Sequence, residues 1–141
     1  MTVPSPPLAT PTLLVYSIVA AAVLVYLPFM WVAFGRIQLG FQALATPRAM
    51  TDKLSPTAQR ATWAHQNAFE TFSIFAAAAL MAYGTGVQSP TAGWAAIAFV
   101  VARTFYPLFY IANFVPGRSL MFGLGSLSTA ILFVLSVRQV G

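Results

Sequence analysis

Apolar residues run along this chain in long blocks, separated by short polar interruptions. From Pro11 to Phe34 there is an uncharged apolar stretch (PTLLVYSIVAAAVLVYLPFMWVAF), long enough as a helix to cross a bilayer with some tilt. Pro28 is expected to kink it near its far end, and Trp31 sits where aromatic side chains mark an interface. Gly35 to Gln59 is the one long polar stretch, with Arg36, Arg48, Asp52 and Lys53 punctuated by Gly40, Pro47 and Pro56, and it reads as a loop. Ser55 and Pro56 offer an N-cap and a first-turn proline. The second helix then continues through RATWAHQNAFETFSIFAAAALMAYG to about Tyr83, its polar residues gathered in the first half. Gly84 to Ser89 is short and uncharged, which predicts an antiparallel hairpin. A third span follows at about 91–114 and contains Arg103 and Pro107; the segment VPGRS then leads to a fourth at about 119–137. The first ten residues are proline-rich, carry no Lys or Arg, and read as a frayed lead-in rather than a signal peptide.

The pattern predicts an all-α integral membrane protein. Its single domain, over 1–141, is a four-transmembrane-helix bundle with spans at about 11–34, 57–83, 91–114 and 119–137. Composition agrees: 59% of the 141 residues are hydrophobic and 6% charged, against about 25% charged in a soluble domain. The net charge of +5 comes from residues scattered among apolar runs, not from the solvated basic patch that nucleic acid requires, so no nucleic-acid partner is expected. There are no cysteines, which excludes disulfides, thiolate metal ligation and a cysteine nucleophile. Lys and Arg concentrate in the first and third loops, so those loops are expected to be cytoplasmic. Both termini and the second loop then lie on the opposite side, with Arg138 as a dissenting charge.

Several residues are out of place in lipid. Glu70 is the one carboxylate outside the loops, and an unpaired charge within a membrane costs several kcal/mol. Arg103 lies about as far beyond the second turn as Glu70 lies before it, so the two can share a depth, and an ion pair fixing the helix pairing within or between subunits is one reading. Arg60, Asn67 and Glu70 fall at i, i+7 and i+10, within about 80° on a helix. His65 lies off that stripe. Arg103, Tyr106 and Tyr110 fall at i, i+3 and i+7, stacking a guanidinium and two phenols on one face, and Arg118 follows shortly after. Guanidiniums suit carboxylates, an amide and a carboxylate suit a peptide backbone, and phenols stabilise thiolates or oxyanions. With no nucleophile evident, a thiol cosubstrate fits: an arginine in low dielectric lowers a thiol pKa from its usual value of about 8.5. Lone His65 lacks a second His or Cys, so no metal site is expected.

These residues, RATWAHQNAFETF followed by RTFYPLFY and GRS on four spans, resemble the MAPEG family of membrane-associated, glutathione-dependent proteins, in particular members like the microsomal glutathione transferases. The most specific part is the A-H-x-N-x-x-E-T core at Ala64, His65, Asn67, Glu70 and Thr71, with the arginine–tyrosine pattern at Arg103, Tyr106 and Tyr110. The resemblance implies a homotrimer with glutathione as thiol cosubstrate between subunits and a lipophilic small molecule arriving from the membrane lipid. It further implies substrate-binding roles for Arg60, His65, Asn67, Glu70, Arg103, Tyr106 and Tyr110, thiol activation by Arg118, and a contact or assisting role for Arg36. One departure stands out. Eicosanoid-producing members carry an arginine four residues before the motif asparagine, and here that position is Trp63. Either Arg60, a turn away, substitutes for it, or the tryptophan reduces the charge that recruits glutathione's carboxylates, leaving an unusual thiol ligand or no activity.

The leading expectation is therefore a glutathione transferase- or peroxidase-like membrane enzyme that activates a thiol for attack on a lipophilic electrophile or hydroperoxide. The alternative is a noncatalytic membrane scaffold or lipid-binding trimer that keeps the polar constellation for assembly. An ion pathway is a weaker third reading, because two ionisable residues in the spans make a short relay.

Overall fold

The computed structural model of the chain describes residues 3–141. Helix α1 (Thr10–Val25) and helix α2 (Phe29–Leu39) form one rod broken at Tyr26–Pro28. The break has the cause the sequence predicts, since proline supplies no N–H to the preceding turn. Helix α2 outruns the apolar block, however, carrying Gly35 and Arg36 as helix rather than loop. Packing extends it: Gly35 is buried against helix α4 (Pro56–Gly84), and a Cβ at Gly35 would lie 2.6 Å from the Ala58 Cβ. Between these helices lie α3 (Phe41–Ala45) and a 3-10 turn at Thr51–Lys53, so the expected loop is partly helical. Ser55 caps α4 as predicted, its Oγ accepting from the Ala58 N–H at 3.3 Å with Pro56 in the first turn.

Both remaining connections are Schellman turns, in which a left-handed residue lets two late N–H groups reach back to orphan carbonyls. After α4, Gly86 (φ 74°) takes the left-handed position, Val87 N–H reaches the Ala82 carbonyl at 3.0 Å, and Gly86 N–H reaches Tyr83 at 3.1 Å. After α5 (Pro90–Ile111) the same role falls to Asn113 (φ 59°), with Phe114 N–H on the Phe109 carbonyl at 2.8 Å and the two phenylalanine rings edge to face. The chain can therefore re-enter helix at once. Helix α6 (Val115–Val140) takes in Val115 to Ser119, the segment expected to be a connection, with Pro116 in its first turn, where a missing N–H costs nothing.

Short turns make α4, α5 and α6 run antiparallel in sequence. The core joins Leu14 and Ala21 of α1, Phe75, Ala78 and Ala82 of α4, Ala92, Ala96 and Phe99 of α5, and Leu132 of α6. Phe75 and Phe99 stack with ring centroids 3.6 Å apart, and the alanines let the helices approach. Buried Ser17, Thr62, Thr129 and Ser136 return their hydroxyls to carbonyls three or four residues back, which satisfies them without water. Large apolar side chains such as Val23, Met30, Leu80, Leu120 and Leu127 point outward. Thr10–Leu39, Pro90–Ile111 and Val115–Val140 are each long and apolar enough to cross a membrane. Helix α4 carries Arg60, His65, Asn67 and Glu70 and does not join them, so among the described residues length and apolarity give three spans against the four expected.

The lead-in is docked rather than frayed over its described part. Trp94 Nε1 donates to the Pro4 carbonyl at 2.9 Å, Pro6 covers Gly93, and the Thr10 hydroxyl donates to the Ser89 carbonyl at 3.1 Å.

Candidate functional site

The ends of α2, α5 and the beginnings of α4 and α6 meet at one end of the bundle, and every Lys and Arg except Arg138 belongs to that half. Arg103, two turns before the end of α5, has 5% of its surface exposed. Its Nη2 donates to Asn67 Oδ1 on α4 at 3.0 Å, so the partner across the hairpin is the amide of Asn67. Within the protomer Arg103 forms no ion pair with Glu70. Glu70 is exposed on α4, one turn from Asn67.

Below Arg103 the helical period builds a column. The guanidinium carbon of Arg103 lies 4.2 Å from the Tyr106 ring centroid, and Tyr106 meets Tyr110 edge to face at 5.6 Å. The guanidinium carbon of Arg118, from the first turns of α6, lies 4.5 Å from the Tyr110 ring. Two cations thus bracket two phenols, each held over a ring face that attracts it. The turn at Asn113 makes this possible by returning α6 beside α5 within three residues. Pro107 lies within α5 between Tyr106 and Tyr110 and withholds the N–H that would bond the Arg103 carbonyl.

Two openings flank the column. A cavity of about 330 Å³ is lined by Tyr106, Tyr110, Arg118, Ser119 and Phe122. A largely apolar groove of about 280 Å³ runs along α6 from Phe122 through Gly125 and Thr129 to Phe133, with Arg103 and Phe99 as its floor and Thr71 and Ile74 of α4 as its wall. Phe122 belongs to both.

The MAPEG family's sequence model matches residues 13–138, nearly the whole chain. The chain belongs to the MAPEG family. No curated protein and no solved structure gives a match. With three apolar helices of membrane-crossing length, this MAPEG protein is an integral membrane protein.

The remaining candidates of the MAPEG motif stand apart from the column. Arg60 Nε donates to the Ile111 carbonyl at 2.9 Å, one of the orphan acceptors at the end of α5; Nη2 reaches the Thr57 hydroxyl at 3.4 Å. Its guanidinium is occupied in capping. His65 faces the other way, toward the Val25 carbonyl at 2.8 Å. Arg36 is half-buried on α2, and its Nε is buried without an acceptor, an arrangement that costs free energy until a partner arrives. Trp63, on the outer side of α4 with Glu70, is exposed. Among the described residues no group of three His, Asp or Glu could hold a metal ion. Asn113, Phe122 and Ser119 were missed by reading the sequence. An asparagine two residues beyond a helix of aromatic residues is the one signal that pointed to the turn.

Proposed function

We propose that this MAPEG member is a glutathione-dependent membrane transferase or peroxidase-like enzyme. The observation that carries the reading is the column Arg103–Tyr106–Tyr110–Arg118 beside its cavity. Arg103 offers a carboxylate of glutathione a fixed cation, and Asn67 and Glu70 offer its peptide and amine a hydrogen-bonding partner each. Arg118, in contact with solvent and the cavity, is the group that favours the thiolate over the thiol. The thiolate sulfur then bonds the electrophilic carbon of a lipophilic acceptor. The electron pair leaves with the displaced group or the opened oxygen, and the thiol proton goes to solvent. The adjoining apolar groove, which shares Phe122 and Arg103 with the column, suits the tail of that acceptor.

The outer side of α4 supports a homotrimer with glutathione between protomers. Trp63, Gln66, Glu70, Ser73, Ala77 and Leu80 recur at helical spacing and are exposed, and a stripe with Glu70 at its middle is costly to turn toward lipid. It suits a neighbouring protomer. Positive charge at the column's end of the bundle favours the cytoplasmic side for that end, with both termini opposite and α4 as the fourth crossing helix.

Purified protein with glutathione and a soluble aryl or epoxide electrophile tests the reading by conjugate formation alongside calorimetric glutathione binding. Turnover with binding is the expected outcome; neither at millimolar glutathione overturns it. The scaffold reading draws on the Asn67–Arg103 hydrogen bond, which ties α4 to α5 as assembly alone would require. It predicts that no thiol shifts the melting temperature.

A further inference from the structure

The break between α1 and α2 is held by a side chain of α4. Because Pro28 has no N–H, the Leu24 carbonyl takes the Leu27 N–H at 3.1 Å, and the Phe29 N–H turns to the Tyr26 carbonyl at 3.1 Å. In a continuous helix the Phe29 N–H would bond Val25. The Val25 carbonyl is thereby freed, and His65 Nδ1 lies 2.8 Å from it. A carbonyl only accepts, so Nδ1 donates. Phe69, Phe29 and Tyr26 surround the imidazole with ring centroids at 5.1, 5.3 and 6.0 Å.

This clamp bears on Arg36. Phe29 opens α2, and Arg36 lies seven residues later, two turns along the same face. On α4, Ala58 and His65 are likewise seven apart, and Gly35 abuts Ala58. His65 at one end and Ala58 at the other thus fix how α2 lies on α4. The segment so fixed carries a guanidinium whose buried Nε lacks an acceptor. We propose that His65 is a positioning residue: it holds the Pro28 break at one angle and so sets where α2 places the guanidinium of Arg36. An assisting role for Arg36 is what the family resemblance implies and rests on the glutathione reading; the clamp itself does not.

The chain has no cysteine of its own, so spin labels at Gln38→Cys on α2 and Gln88→Cys in the α4–α5 turn, diluted with unlabelled chain, report the angle as a distance distribution. His65→Phe keeps a ring in the aromatic surroundings and removes the donor; the distribution is expected to shift or broaden. His65→Asn, whose amide N–H can meet the same carbonyl, is expected to restore it. In a Pro28→Ala background the backbone regains its N–H, and His65→Phe is expected to add no further shift. With glutathione and electrophile, His65→Phe should reproduce the turnover loss of Arg36→Ala within about twofold, the two losses should not add, and His65→Asn should recover turnover. An unchanged distribution in His65→Phe, shifts that add in the Pro28→Ala background, or additive turnover losses would overturn the proposal. A wild-type protein without glutathione turnover would sink the function reading alone, leaving the distance measurements to decide the clamp.

Discussion

Arg60, Arg103 and Arg118 look alike in the sequence, and their surroundings give them three different tasks. Arg60 is spent on the Ile111 carbonyl, Arg103 is shared between an amide and a ring, and Arg118 rests on one ring beside the cavity. Only the first is fully engaged in holding a helix end. Arg60→Gln is therefore expected to cost about 1 kcal/mol of stability, the scale of a lost helix cap, while glutathione affinity stays within about twofold, less than the tenfold that 1.4 kcal/mol represents. Thermal melting and calorimetry on the same variant check it. Helical spacing made the stacking of Arg103, Tyr106 and Tyr110 legible. It did not reveal that Asn67 rather than Glu70 receives Arg103, because Asn67 and Glu70 lie one turn apart and the choice depends on how α4 is rotated against α5.

At the scale of elements, prolines and caps were readable because their effects are local. Pro28 breaks its helix and Ser55 starts the next, both from chemistry within four residues. The extension of α2 past Phe34 was not readable, since it depends on Gly35 meeting Ala58 across two helices. Gly35→Ala brings a methyl to 2.6 Å from the Ala58 Cβ and is expected to destabilise by about 1–3 kcal/mol, as overpacking does; Ala58→Gly in the same chain should return most of the loss in melting temperature. The early start of α6 was equally hidden, because it depends on Asn113 taking a left-handed conformation. A β-branched residue resists that conformation by about 1–2 kcal/mol. Asn113→Val should lower stability by that amount and also lower turnover, by moving Arg118 off Tyr110, whereas Asn113→Gly should keep both. Melting and conjugation rates distinguish the two.

For the whole molecule, the scarcity of charge becomes a matter of location. Apolar side chains cover the outside, alanines and hydroxyls that bond their own helix fill the inside, and the basic residues gather at one end. Block hydropathy made the membrane class legible. It also led to a fourth span at 57–83, yet the residues that give α4 its chemistry lower its apolarity, and α4 is not among the three described helices apolar enough to cross. Glu70 carries the consequence. Glu70 is exposed on a single protomer, and the proposed trimer sets it against a neighbour, so Glu70→Ala is expected to weaken glutathione binding, read by calorimetry, and to loosen the oligomer, read by light scattering in detergent. Loss of binding with an intact oligomer would confine Glu70 to the ligand.

The central claim is that the column ending in Arg118 binds a thiol and holds it as thiolate. Ultraviolet difference titration of glutathione into the purified protein at neutral pH measures this directly, with Arg118→Ala as the comparison. A saturable thiolate signal in the wild type, lost in Arg118→Ala although glutathione still binds, is the result predicted. Binding without thiolate in the wild type, or equal thiolate in both proteins, would contradict it.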